Sequence, residues 1–198
     1  MRALRVLIVA LTAMAAQACA LVDNEVQLEY QAVAGLTSSS GNARVIFLSL
    51  IEDSRPDKSR VGVIRNGYGM ETAKVLSKDD ASVWVSNTLK GNLEQVGYTV
   101  RAVDADFVPS ADQLHLSGQL IKTYSDPQIG FLSITMRGDV QATMQAEYLG
   151  RRSRKLIVGQ YEEESLISTG GDLHKRVLNN ALSDFVRKAV LWLDELKS

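Results

Sequence analysis

The sequence predicts an α+β fold. It is a two-layer sandwich in which a mixed, mostly antiparallel sheet of about five or six strands carries two amphipathic helices on one face. Three observations lead there. Leu132, Ile134, Met136, Val140, Ala142, Met144, Ala146 and Tyr148 all stand on even positions with polar residues between them, a period of two that describes a long strand with one buried face. Ala81, Val85, Leu89, Leu93 and Val96 recur every three or four residues, as do Leu178, Ala181, Leu182, Phe185, Ala189, Val190, Leu193 and Leu196, so each set forms one helical stripe. Runs of strands with helices set to one side then favour two layers.

Taken in order, the chain divides into residues 1–18, 19–43 and 44–198. Arg2 and Arg5 precede an uncharged run from Val6 to Ala16, and Ala16-Gln17-Ala18 offers small residues at a cleavage site, the pattern of a signal peptide. The run is too short to span a bilayer as a helix. Cys19, the chain's single cysteine, follows at once. Residues 19–43 read as a flexible tether ending in Thr37-Ser38-Ser39-Ser40-Gly41. Arg44 to Ile51 is a strand whose consecutive apolar residues place it inside the sheet. Glu52 to Arg60 is a charged loop with Pro56, and Val61–Ile64 and Thr72–Leu76 form a small hairpin across Asn66-Gly67-Tyr68-Gly69, where Asn-Gly signals a tight turn.

Asp79 or Asp80 caps the first helix, which ends at Gly97. Tyr98 to Val103 and Leu114 to Leu120 are further strands, and Asp126-Pro127 marks a linker before the long alternating strand. A turn at Gly150 to Ser153 returns the chain as that strand's partner. Centring it between Arg151 and Arg152 sets Glu164 against Asp139, an unfavourable acid pair, so a shift of register is expected. Ser168 to Gly171 breaks the sheet and Asp172 caps the second helix, whose Leu182 and Phe185 contribute about 1.5–3 kcal/mol each when covered.

The 198 residues include 22 basic and 23 acidic ones, and beyond residue 18 there are 20 against 23. That balance argues against a nucleic-acid surface. His115 and His174 lack companions at metal-ligand spacing, and His115, opposite the apolar parity, is expected at the surface. Nucleophile, phosphate-binding and dinucleotide motifs are missing, so the sequence reads as a protein that is not an enzyme, and no catalytic residue, cofactor or metal is expected. The candidate interaction residues are Asp53 and Arg55, just after the first strand, and Tyr68 in the hairpin turn. An Asp–Arg pair there binds a polar ligand or partner, or else is a salt bridge ordering a loop. Arg151, Arg152, Arg154 and Lys155 form a basic turn that either touches anionic headgroups or is a solvated tip. Gly118 and Gly138, inside strands, mark bulges or close contacts, or open a groove.

Cys19, directly after the small-residue site, resembles the lipobox cysteine of bacterial lipoproteins, which becomes the acylated N-terminus; Ala16 departs from the usual leucine and Gln17 is bulkier than usual. A plain secretory signal or an ordinary thiol is the alternative. Ala20, by the same resemblance, implies the outer membrane rather than retention at the inner one. With the Asp53-x-Arg55 segment, the helix running into Gly97-Tyr98-Thr99-Val100, the Leu114–Leu120 strand, the long strand and the closing helix, nearly the whole mature chain is similar to the YajG-like lipoproteins. That resemblance implies a small α+β domain like the N-terminal region of TolB and the activators of peptidoglycan synthases, with no catalytic residues to carry over. The function expected is a non-enzymatic lipoprotein, anchored through Cys19 on the periplasmic face of the outer membrane of a Gram-negative bacterium. There it serves as an interaction module for an envelope protein. The alternative is a transport accessory that binds a small ligand, lipid or glycan.

Overall fold

The computed structural model describes residues 22–38, 44–130, 133–165 and 171–196. Its strands are β1 (Asn24–Glu25), β2 (Val45–Ser49), β3 (Glu52–Asp53), β4 (Arg60–Arg65), β5 (Glu71–Leu76), β6 (Thr99–Val103), β7 (Leu114–Ile129), β8 (Ile134–Tyr148) and β9 (Arg151–Ser165). Helix α1 spans Ala81–Gln95 and α2 spans Gly171–Glu195. The α+β class holds, but the sheet has nine strands among the described residues rather than five or six. Its character differs too. The long β7–β8 and β8–β9 ladders and the β4–β5 hairpin are antiparallel, whereas β1–β5, β2–β6, β2–β7, β3–β7 and β4–β7 are parallel. Alternation within a strand reports its faces and not the direction of its neighbour, so these short parallel ladders leave no mark in the sequence.

The pivot of the sheet is β7. One edge of it pairs with β8 from His115↔Glu147 to Ile129↔Ile134. Along the other edge β2 sits at Leu114–Leu116, β3 at Gln119–Leu120 and β4 at Ser125. The expected linker at Tyr124 to Gly130 is therefore strand as far as Ile129, and Asp126-Pro127 makes no turn. Pro127 is tolerated because Ser125 is the last β7 residue that β4 reaches, which leaves that edge of β7 free for a residue without an N–H. A bulge between Leu120 and Lys122 also reverses the strand's parity. Leu114, Leu116 and Leu120 point into the core before it, and Thr123, Ser125 and Pro127 are the buried positions after it.

The β8–β9 register differs from the one centred on Arg151 and Arg152. Tyr148 pairs with Arg151 across Leu149-Gly150, both at positive φ (52° and 70°), the requirement of a two-residue type I′ turn. A main-chain bond of 2.7 Å from Leu149 N to Ala111 O steadies the strained leucine. Asp139 now faces Gln160, Glu162 faces Arg137 and Glu164 faces Thr135, so the expected acid pair is avoided.

Helix α2 lies on the even-numbered face of β8, and α1 packs beside it against α2, β6 and β3; one large apolar core joins them, and Met136, Leu173 and Val177 form a smaller cluster of their own. Asp80 caps α1, its Oδ1 accepting from Ser82 N (2.8 Å) and Val83 N (3.3 Å). Asp172 lies within the first turn of α2, while residues 166–170, where the sheet break was expected, are outside the described residues, as are 131–132 of the long strand. The α2 backbone rests directly on β8 and β9. A Cβ on Gly138 would run into Val177 O, and one on Gly159 would meet Ala181 O and Phe185. Leu178, Leu182 and Phe185 are completely buried there.

Residues 22–38 correct the expected tether. Val26, Leu28 and Val33 are buried in the core. Trp84 Nε1 donates to Glu29 O at 2.8 Å, and Asn92 both accepts from Val33 N (2.7 Å) and donates to Gln31 O (3.0 Å). The segment thus closes the outer side of α1. Its buried residues are spaced irregularly, which is why neither periodicity marks it. Residues 39–43 of the tether and 1–21, with the signal peptide and Cys19, lie outside the described residues.

Candidate functional site

The face of β7, β8 and β9 away from the helices is open, and the pairings arrange its side chains in rows: His115–Glu147–Arg152, then Ser117–Gln145–Arg154, then Gln119–Thr143–Leu156. Leu50 and Glu52 bound them on one side, and the loop after β6 folds over with Phe107, Val108 and Pro109. Together they enclose a groove of about 560 Å³. Its floor is made of hydroxyls and amides that both donate and accept. Ser117, Thr143 and Gln145 make no side-chain hydrogen bond to another described residue. Arg152 is held by Glu147 at 3.1 Å, whereas Arg154 has no carboxylate within salt-bridge distance among the described residues. Leu50 and Val108 add apolar surface, each more than half exposed.

One end of the groove is fixed by aromatic packing. Phe107 stacks on Phe47 with centroids 5.1 Å apart and meets the His115 ring edge-on at 5.5 Å. His115 is buried rather than at the surface, because the 104–113 loop lies over the polar parity of β7. Burial pushes the imidazole pKa below its ordinary value against the opposing charge of Glu147, so the ring is neutral at pH 7. Its Nε2 lies 2.8 Å from Ser49 Oγ, itself 3.3 Å from Asp104 O. This serine is buried, and the carboxylate facing the histidine is engaged by Arg152. The group orders the loop: Ser49 and His115, both along the groove's lining, tie β2 and β7 to the Asp104 carbonyl. The other histidine, His174, is buried and bonds through Nδ1 to Ser125 Oγ at 2.8 Å, joining α2 to β7.

The three predicted interaction residues do not form one site. Arg55 Nη2 meets Asp53 Oδ2 at 2.8 Å and Nε meets Oδ1 at 3.0 Å, with both side chains almost sealed from solvent. Arg55 also donates to Lys58 O (2.6 Å) and Arg60 O (3.1 Å), so the pair orders the charged loop. Burial works to raise the Asp53 pKa, but the hydrogen bonds and charge of Arg55 outweigh it and hold the carboxyl below its ordinary value. Tyr68 stands 90% exposed at the tip of the β4–β5 turn. Asp53 is beside Leu120 and the Tyr68 turn is tied to Asp126 through Arg65, six residues further along β7 or about 20 Å. The bond from Gly69 N to Asn66 O closes that turn over Gly67 and Tyr68, and the positive φ falls at Gly69 (79°) rather than at Asn66 or Gly67.

A second charged centre lies on the open face, in the polar row of β8 that Arg137, Asp139 and Gln141 mark in the sequence as either solvent-facing surface or a docking platform. Asp139, 3% exposed, receives Lys122 Nζ at 2.9 Å, Gln160 Nε2 at 2.8 Å and Arg137 Nη2 at 3.4 Å. Burial tends to raise its pKa, yet the bonds from Lys122 and Gln160 and the charges of Lys122 and Arg137 prevail and lower it. The only sequence signal is an aspartate between arginine and apolar neighbours in a strand, which looks like any solvent-facing position until the register brings in its partners. Among the described residues, no three His, Cys, Asp or Glu side chains converge as a metal site.

Comparisons place this fold among known ones. A family model described as an uncharacterized lipoprotein, Lipoprotein_16, matches residues 36–190. None of the curated proteins matches the chain. Among solved structures, a Xanthomonas campestris protein of the DUF330 family model is 14% identical, covers 88% of this chain and 98% of its own, and has a TM-score of 0.57, which shows a common fold. A further crystal structure, titled only as a protein without a characterised role, is 16% identical with a TM-score of 0.47, covering 89% of this chain and 99% of its own. A lipoprotein from Neisseria meningitidis is 13% identical with a TM-score of 0.34, covering 78% and 99%.

Proposed function

The chain belongs to this family of uncharacterized lipoproteins, the YajG-like group that its sequence resembles, and from that premise we propose a non-enzymatic, lipid-anchored interaction module of the cell envelope. Acylated Cys19 holds it on the periplasmic face of the outer membrane, as Ala20 after the cysteine implies by resemblance. The work is done by the open-face groove, which takes an envelope protein. The carrying observation is the floor of Ser117, Thr143 and Gln145. These half-buried side chains bond to no other described residue and stand between apolar Leu50 and Val108 and an Arg154 that pairs with no carboxylate among the described residues. Such a mixture of adaptable polar groups, an arginine and exposed apolar side chains suits a protein interface.

A small ligand or glycan is the second reading. It is favoured by the groove's volume of about 560 Å³, within the range of small-molecule sites, and by its neutral hydroxyl and amide floor. One experiment tests both. A photo-crosslinking residue at Gln145 in intact cells captures a discrete protein, while the same residue at Leu191, on the outside of α2, does not. Capture from Leu191 alone overturns the groove as the interface; capture of a glycan or lipid and no protein from Gln145 favours the second reading. Density fractionation of cells, with Cys19→Ser as control, tests the anchor: the native chain should follow the outer membrane and the variant should leave it.

A further inference from the structure

We infer that the protein sits on its own bilayer with the β4–β5 turn downward, so that Tyr68 and Met70 lodge among the lipid headgroups. The inference rests on acylation of Cys19. Its starting point is where the chain becomes fixed. Asp23 Oδ1 accepts a hydrogen bond from Lys74 N at 2.7 Å, and Asn24 and Glu25 pair in parallel with Val75 and Leu76. Only four residue steps separate Cys19 from Asp23, at most about 14 Å of extended chain.

The direction in which the described chain begins is given by the pairing. Because β1 runs parallel to β5, going back from Glu25 to Asp23 advances from Leu76 to Lys74, toward Glu71, the end of β5 that carries the turn. From Lys74 to Glu71 is about 10 Å of strand, and Tyr68 and Met70 stand beyond it. The reach of the acylated end therefore matches the overhang of the turn, and acyl chains that enter the bilayer bring the turn to its surface.

The chemistry of the turn fits that surface. Tyr68 is 90% and Met70 59% exposed, with Val22 on the departing chain at 66%. A tyrosine offers an apolar ring and a polar tip, the combination favoured at membrane interfaces. The turn is stiff. Asn66 Oδ1 accepts from Tyr68 N (3.0 Å) and Met70 N (3.1 Å), Arg65 donates to Gly69 O (3.0 Å), and Arg65 is held through two bonds by Asp126. Its exposed side chains are presented on a fixed support, with the arginine's charge neutralised.

The opposite end points away. Asn24 is level with Val75, Gly62, Ser125 and Gly138 through successive pairings. From Gly138 to Tyr148 β8 runs a further ten residues, about 33 Å. The basic β8–β9 turn with Arg151 and Arg152, and the open-face groove beside it, then face the periplasm and not the headgroups to which the protein is anchored.

The test uses the full acylated protein in vesicles of phosphatidylethanolamine and phosphatidylglycerol carrying a nitroxide on the headgroup. Acylation removes the thiol of Cys19, so Tyr68→Cys, Met70→Cys or Arg151→Cys each supplies one site for an environment-sensitive dye. All three positions are exposed, and an unchanged thermal midpoint verifies folding. Dye at positions 68 and 70 should shift to the blue and be quenched severalfold more than dye at 151. Equal quenching at both ends, or stronger quenching at 151, on a protein whose mass includes the acyl chains overturns the orientation alone. A mature mass without acyl chains overturns the anchor and the orientation together.

Discussion

Arg55 and Asp53 form a two-bond ion pair within a span of three residues, Nη2 to Oδ2 at 2.8 Å and Nε to Oδ1 at 3.0 Å, and their side chains are only 4% and 6% exposed. The arginine spends two of its three remaining donors on Lys58 O and Arg60 O. A pair so enclosed fixes the course of the chain between β3 and β4 and leaves few donors for a ligand.

Arg55→Met should therefore destabilise the domain by about 3 kcal/mol or more, because the Asp53 carboxylate is left buried without its partner. Asp53→Asn should cost a comparable amount. Urea denaturation at pH 7 measures both. The double variant Asp53→Asn with Arg55→Met should lose less than the sum of the two, as groups that act as a pair do.

Gly159→Ala should cost about 1–3 kcal/mol or more, since its methyl overlaps Ala181 O and Phe185 and must lift α2 from β9. Gly150→Ala, in the solvent-facing turn, meets nothing within 4 Å and strains only the positive φ, so its cost should be smaller, about 1 kcal/mol. Thermal midpoints of the two variants, compared at equal concentration, check the ranking.

Asn92→Ala should loosen residues 22–38 without unfolding the sheet. The amide is wholly buried, and removing it leaves Val33 N and Gln31 O without their partner. A loss of about 2 kcal/mol is expected, together with new proteolytic cleavage confined to residues 29–38. Mass mapping of limited digests reads the site.

Acid should weaken the fold in part through Asp139. Its folded pKa is below the ordinary carboxylate value of about 3.9, so the native state binds this proton less readily than the unfolded chain. The stabilisation is present in full above the unfolded pKa and is lost as pH falls through the folded one. Asp139→Asn should thus be less stable than the native chain at pH 7 and lose less on going from about pH 4 to about pH 2. Urea midpoints across that interval measure the difference in slope.

Much of this architecture is legible in the residues. The stripes of α1 and α2 and the alternation of β8 are strong because one face of each meets a continuous core, and the Asp80 cap follows from a carboxylate before the first apolar repeat. The second half of β7 is hidden because its buried positions are Thr123, Ser125 and Pro127, two polar residues and a proline that reads as a turn, and because the bulge restarts its period. Residues 22–38 are hidden for another reason: Val26, Leu28 and Val33 enter the core from an irregular segment held by side chains of α1. The candidate site was half visible. Asp53 and Arg55 are paired as one of the two sequence readings has it, whereas the groove depends on register, on parallel neighbours and on a loop laid over His115, none of which a local pattern carries.

The bulge at Ile121 gives β7 something like a reading frame. Ile121 is itself 45% exposed and makes no large contribution to the core. Its presence nevertheless decides which side of the sheet every later residue of the strand faces. Removing it would leave each half of β7 chemically intact and yet exchange inside and outside from Lys122 to Ile129. Lys122, Tyr124 and Asp126 would turn toward the helices, and Ser125 would turn away from His174. The identity of this one residue matters little; that the chain is one residue longer there is what lets a single strand serve a leucine core at one end and a polar seat for α2 at the other.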